Sequence, residues 1–199
     1  MTIISLAIGM KGDCLKNTTV HSISYYLEDY YFFQINSVKE MCNFVSRTIM
    51  YKNKPGILQK INHDNYIVYS VAKFNGLCAV AILDSEYPQS VMIRFLNKIM
   101  FDFTTKYGHI LQGFKTDYKL QLSTLDELII EYQDPKKDKF HKINTELGET
   151  KIIMHKSIDK ILDRGEKIEN LVQRSKDLSK SSKRFFKTSR KFNSCCVIF

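Results

Sequence analysis

The 199 residues carry 30 Lys and Arg against 21 Asp and Glu, a formal net charge of +9, and 44% of them are hydrophobic. That is enough apolar material for one compact domain with an appendage, or for one larger domain. No apolar run approaches the roughly 20 residues of a membrane-spanning helix. The five cysteines are an odd number without metal-ligand spacing, which fits a reduced cytosolic chain and excludes a disulfide scaffold.

In chain order, the apolar start Thr2–Gly9 reads as a strand rather than a signal peptide, because it lacks a basic lead and a cleavage site. Thr19–Tyr26 reads as a second strand. Val38–Tyr51 places Met41, Phe44, Val45 and Ile49 at the three-and-four spacing of an amphipathic helix, with Ser37 and Glu40 as its capping box. Ile57–Asn62, Tyr66–Lys73 and Leu77–Leu83 read as three further strands. The last two are joined at Asn75-Gly76, a pair that tolerates the positive φ of a hairpin turn. Pro88–Tyr107 and Thr124–Tyr132 read as helices. The order β-β-α-β-β-β-α-α describes an α+β domain with helices packed across a mainly antiparallel sheet.

The chain changes character near Gln133-Asp134-Pro135. Residues 1–132 hold 13 Lys and Arg against 12 Asp and Glu, so nearly all the excess charge lies beyond them. From Phe140 to Phe192 two sets of positions recur every seven residues. One is Phe140, Leu147, Met154, Ile161, Ile168, Ser175, Ser182 and Ser189; the other is Ile143, Thr150, Ser157, Arg164, Leu171, Leu178, Phe185 and Phe192. This repeat predicts a helix about 80 Å long that supercoils with partner helices. Gly148, Gly165 and the small hydroxyl positions weaken it. The segment is therefore expected to be disordered, or to rest on another surface, until those partners arrive. Arg164 stands in the middle of the apolar seam, where a guanidinium is costly unless its donors are met; its best-attested use there is to fix register and partner choice. The plainer alternative is that the helix slips or the side chain snorkels and Arg164 is merely exposed.

The chain closes on Cys195-Cys196-Val197-Ile198-Phe199. A cysteine followed by two aliphatic residues is a prenylation box, with Cys196 as acceptor and Cys195 as a second thiol for an acyl or prenyl chain. Two lipids hold a protein stably on a bilayer, and one does not. The basic run from Arg174 to Lys191 reinforces such an anchor at an anionic leaflet, and no zinc motif or stacking platform accompanies it to suggest nucleic acid. The terminal Phe199 shifts the expected prenyl group toward geranylgeranyl.

No catalytic constellation is visible and no cofactor is expected. The histidines His21, His63, His109, His141 and His155 are scattered. Gly108–Thr116 faintly resembles a phosphate-binding loop, but Phe114 stands where Lys must follow the second glycine. That absence counts against a prenylated GTPase-like signalling protein.

Leu162-Asp163-Arg164-Gly165-Glu166-Lys167-Ile168, centred in about sixteen layers, resembles the R-SNARE motif, and with Cys195-Cys196 the whole chain resembles the YKT-type prenylated longin SNAREs. Phe32-Phe33-Gln34 and Asp84-Ser85-Glu86-Tyr87-Pro88 share in the likeness. The resemblance implies a longin domain over 1–133, a profilin-like α-β-α sandwich with a five-stranded antiparallel sheet. It implies an R-SNARE coiled-coil motif over 139–194 and a lipidation box over 195–199. Arg164 would form the central ionic layer with glutamines from three Q-SNARE helices. Phe44 would lie on the hydrophobic longin face that cradles the SNARE segment in a closed cytosolic form, although a plain core role against the sheet explains it equally well. The implied function is membrane fusion in vesicle transport by a non-enzyme that cycles between cytoplasm and the cytosolic face of Golgi, endosomal or other transport membranes. A prenylated coiled-coil tether is the alternative.

Overall fold

The computed structural model describes residues 2–63, 65–84, 87–108, 123–134 and 151–194, with the side chains of the last helix described through residue 188. The expected lipidation sites Cys195 and Cys196 lie outside the described residues, as do the layer positions Phe140, Ile143, Leu147 and Thr150, the side chains of Ser189 and Phe192, and the rejected phosphate-loop stretch beyond Gly108.

The strands are β1 (Ile3–Met10), β2 (Thr19–Tyr25), β3 (Ile57–His63), β4 (Tyr66–Ala72) and β5 (Leu77–Leu83), with helix α1 (Ile35–Lys52) between β2 and β3. Helices α2 (Gln89–Tyr107) and α3 (Ser123–Glu131) follow. A further strand, β6 (Lys151–His155), comes next, then a 3-10 turn (Ile158–Lys160), α4 (Ile168–Arg174) and α5 (Lys180–Ser194). The sheet runs β2-β1-β5-β4-β3-β6.

Strands β1 and β5 are buried on both faces, which is why their sequences are apolar throughout rather than alternating. On one face, Val91, Phe95, Leu96, Ile99 and Phe103 of α2, with Leu125 and Ile129 of α3, close the first core. On the other, Val38, Met41, Cys42 and Ile49 of α1 pack on Ile4, Ala7, Val68 and Val80. The hairpin turn falls at Asn75-Gly76, where Gly76 takes φ +86° and its N–H donates to the Lys73 carbonyl at 3.1 Å.

Two sequence expectations need correction. Among the described residues the sheet has six strands and not five, because β6 pairs in parallel with β3 from Ile57↔Lys151 to Ile61↔His155. Met154 belongs to the heptad repeat, so Lys151–His155 reads as helix. Without partner helices the open edge of β3 offers backbone hydrogen bonds that a lone helix turn cannot match, and the β-branched Ile152 and Ile153 suit a strand. Nor is Ser37 the cap of α1. The helix begins three residues earlier than expected, at Ile35, with the Val38 N–H donating to the Gln34 carbonyl at 2.9 Å; Ser37 is buried and Glu40 faces another helix.

Candidate functional site

The repeat that predicts a long helix is here folded into short pieces laid across the α1 side of the sheet. Ile158 and Leu162, and then Ile168 and Val172, pair at helical spacing and enter the same apolar core as Val38, Met41, Cys42 and Phe44. Leu178 joins them, and Ile161, Leu171 and Phe185 pack partly buried against the group. Phe44 is buried in that core beside these residues of the C-terminal segment.

The remaining layer positions divide. Ser182 is fully buried, whereas Met154 is 62% exposed on the sheet edge. Ser157 precedes the 3-10 turn and Ser175 follows α4, both half-buried. Arg164 is exposed in a tight turn. Sequence reasoning missed Ile158, Leu162 and Val172, which lie off the seven-residue seam. Their four-residue spacing was the available signal, masked by the stronger seven-residue pattern.

Local chemistry explains each break. At the Arg164 turn the Glu166 N–H donates to the Asp163 carbonyl at 2.9 Å, and Gly165 sits at φ +84°, as the third position of a type II turn requires. Asp163 accepts from Lys52 of α1 at 2.6 Å, and Glu166 pairs with Arg174 at 2.9 Å. Both pairs reach solvent and stabilise the turn only modestly. The Asp159 carboxylate accepts the Ile168 N–H at 2.8 Å and so caps the start of α4. At the other end of α4, the Lys183 ammonium donates to the carbonyls of Gln173 and Ser175 at 2.9 and 2.6 Å.

Helix α5 is capped across the molecule. Ser179 is its cap residue, its hydroxyl accepting the Ser182 N–H at 3.2 Å. One carboxylate oxygen of Glu40, on α1, accepts both the Ser179 N–H and the Ser182 hydroxyl at 2.8 Å each. In a capping box the third helical residue supplies that carboxylate; here the third residue is Ser182 and another helix supplies it. Partial burial pushes the Glu40 carboxyl up, but the Ser179 amide and the two serine hydroxyls outweigh it and hold it below the ordinary value.

Between α1, the sheet and α5 remains a cavity of about 90 Å³. Val38, Met41, Val45, Phe185 and Phe186 line it, and Tyr30, His63 and Tyr66 supply its polar edge. Burial, then the adjacent Tyr66, hold the Tyr30 phenol well above its usual range, so its hydroxyl stays protonated. Cys42 also lines the cavity; burial pushes its thiol up to about 11 against the small opposing effect of Ser5, which leaves it unreactive. Among the described residues there is no cluster able to hold a metal ion, and no helix is long and apolar enough to cross a membrane.

The arrangement packs the C-terminal segment on the apolar face formed by α1 and the sheet. Comparisons with known proteins point the same way. Residues 27–129 match the longin family model, a regulated-SNARE-like domain, and residues 139–197 match that of synaptobrevin. The VAMP-like protein YKT61 of Arabidopsis thaliana is 41% identical over 168 residues, 84% of either chain. The synaptobrevin homologue ykt6 of Schizosaccharomyces pombe is 39% identical over 175 residues, 86% of this chain and 87% of that one. Its counterpart in Saccharomyces cerevisiae is 38% identical, also over 175 residues, 86% of this chain and 88% of the relative.

Proposed function

The chain belongs to the Ykt6-type longin R-SNAREs, non-enzymatic proteins of vesicle fusion and transport that act with other SNAREs, and from that premise we propose how it works. Residues 139–192 zipper with three Q-SNARE helices, and Arg164 meets their glutamines at the central layer. Phe140, Ile143, Leu147, Thr150, Met154, Ser157, Ile161, Ile168, Leu171, Ser175, Leu178, Ser182, Phe185, Ser189 and Phe192 fill the other layers. A prenyl group on Cys196, with an acyl or second prenyl group on Cys195, anchors the chain, and the basic segment before them holds it against the leaflet. Before assembly the longin domain restrains the segment, so that the protein cycles between the cytoplasm and the cytosolic face of transport membranes.

The observation that carries this reading is double use of the same side chains. Ile161, Ile168, Leu171, Leu178 and Phe185 are seam residues of the heptad repeat, yet all five lie against the longin core. They cannot fill both places at once, so longin docking and SNARE zippering compete. The cavity beside Phe185 and Phe186, lined mainly by apolar side chains, would also accept part of a hydrocarbon chain.

The test is circular dichroism of the full chain mixed with soluble Q-SNARE helices. Helicity should rise well above the sum of the separate spectra, and the gain should vanish when any one of the three partners is left out. An unchanged spectrum with complete sets of partners would leave the tethering role.

A further inference from the structure

Three consecutive aromatic side chains of the longin domain have no part in either core. Tyr31, Phe32 and Phe33, between β2 and α1, are 69, 85 and 66% exposed. Phe33 stacks on Tyr31 and meets Phe32 edge-on, each pair with ring centroids 5.6 Å apart. The backbone under them is fixed. The Tyr30 N–H donates to the Leu27 carbonyl at 3.1 Å, and the Gln34 N–H donates to the Tyr31 carbonyl at 2.8 Å, one step before α1 begins. A contiguous exposed apolar patch on an ordered turn marks an interaction surface, and rings with one polar tip suit the boundary between water and hydrocarbon.

What lies beside the turn indicates its partner. Tyr30 turns inward and lines the same cavity as Phe185 and Phe186 of α5, so the turn and the C-terminal helix share one end of the molecule. On α5 the residues facing solvent include Lys180, Arg184 and Lys187, a basic stripe at helical spacing. Lys39, on the second turn of α1, adds another exposed ammonium. Glu28 and Asp29, exposed just before the turn, oppose an anionic surface. Attraction must therefore come from α5, while the rings supply the insertion.

We propose that Tyr31, Phe32 and Phe33 form a wedge by which the longin domain enters the headgroup region of an anionic bilayer, beside the basic face of α5. The inference rests on the proposed membrane contact of the basic segment and adds a second, protein-borne point of insertion. Attachment then fixes the orientation of the folded domain, which a flexible lipid tail alone does not.

The chain contains no tryptophan, so Phe32→Trp gives a single reporter at the tip of the turn. The full chain, with Cys195→Ser and Cys196→Ser to remove lipidation, is mixed with phosphatidylcholine vesicles with and without phosphatidylserine. On vesicles containing phosphatidylserine the Trp emission should move to the blue and be quenched by brominated acyl chains. In the Phe32 background Tyr31→Ser with Phe33→Ser should weaken sedimentation with those vesicles roughly tenfold or more, with thermal unfolding unchanged. A chain that sediments while its Trp emission stays as in buffer would overturn the wedge and leave the basic segment as the sole contact; a turn that serves another protein gives this same result. Equal insertion into neutral vesicles would instead refute the basic-segment reading and keep the wedge. Failure to sediment with either vesicle would overturn both.

Discussion

At the scale of single residues, the closed arrangement depends on groups that serve no purpose in a continuous helix. Glu40 terminates the backbone of α5 from a neighbouring helix, satisfying an N–H and a hydroxyl at 2.8 Å. Removing a cap of this kind costs about 1 kcal/mol or somewhat more. Glu40→Ala should therefore raise amide exchange in α5 and speed assembly with Q-SNARE helices by roughly fivefold to tenfold. Because Glu40 lies outside the SNARE segment, the assembled complex should melt as before. Glu40→Gln, which keeps an acceptor oxygen, should fall between. Gly165 makes the complementary point from inside the segment. Its φ of +84° is open to glycine but strained for alanine, whereas in a helix alanine is better by about 1 kcal/mol. Beyond its own chain neighbours no heavy atom lies within 4 Å of where the added methyl would stand, so strain and not collision sets the cost. Gly165→Ala should disfavour the turn and favour the helix together, read as faster assembly and a higher melting temperature of the complex.

At the scale of elements, β6 carries a histidine that couples its docking to pH. It sits at the sheet edge, held by its parallel pairing to β3, and Met154 on it is largely exposed. Burial, and then the nearby charge of Lys54, lower the His155 pKa below its ordinary 6.5. The undocked strand therefore takes up a proton before the docked one. Docking is fully stabilised above pH 6.5 and loses strength as pH falls through the depressed value. Amide exchange of β6, corrected for intrinsic rates, should show less protection at about pH 5.5 than at about pH 7.5, and His155→Gln should remove most of that difference. The same element shows where sequence reading stops. The five longin strands and three helices were legible because each carries a single pattern, an unbroken apolar run in the strands buried on both faces and the three-and-four spacing in the helices. Residues 151–178 carry two patterns, the seven-residue seam of the proposed assembly and the four-residue pairs of Ile158 with Leu162 and Ile168 with Val172. The seam is longer and more regular, so it dominates any reading of the sequence. The pairs acquire meaning only once α1 and the β3 edge exist to receive them. Glu40 was misread for a related reason: Ser37 and Glu40 have the spacing of a cap within one helix, and nothing local reveals a second helix competing for the carboxylate.

At the scale of the whole molecule, the proposed function sets two folds of one segment in competition for an overlapping set of apolar side chains, and their separation can be tested. Ile168 is fully buried against the longin core and is also a seam residue. Val172 is equally buried but flanks the seam, in a position that a four-helix bundle leaves near its rim. Replacing either by serine removes apolar volume and places a hydroxyl in the core of the closed form, a loss of about 2 kcal/mol or roughly thirtyfold in the open-to-closed ratio. Val172→Ser should thus accelerate assembly with Q-SNARE helices and leave the melting temperature of the complex nearly unchanged. Ile168→Ser should open the closed form to a similar degree yet lower the melting temperature of the complex by several degrees. Assembly rate and complex stability, measured on the two variants side by side, give that contrast directly. If Val172→Ser left the assembly rate unchanged, longin docking would not be what holds the segment back, and the competition inferred from shared residues would have to be abandoned.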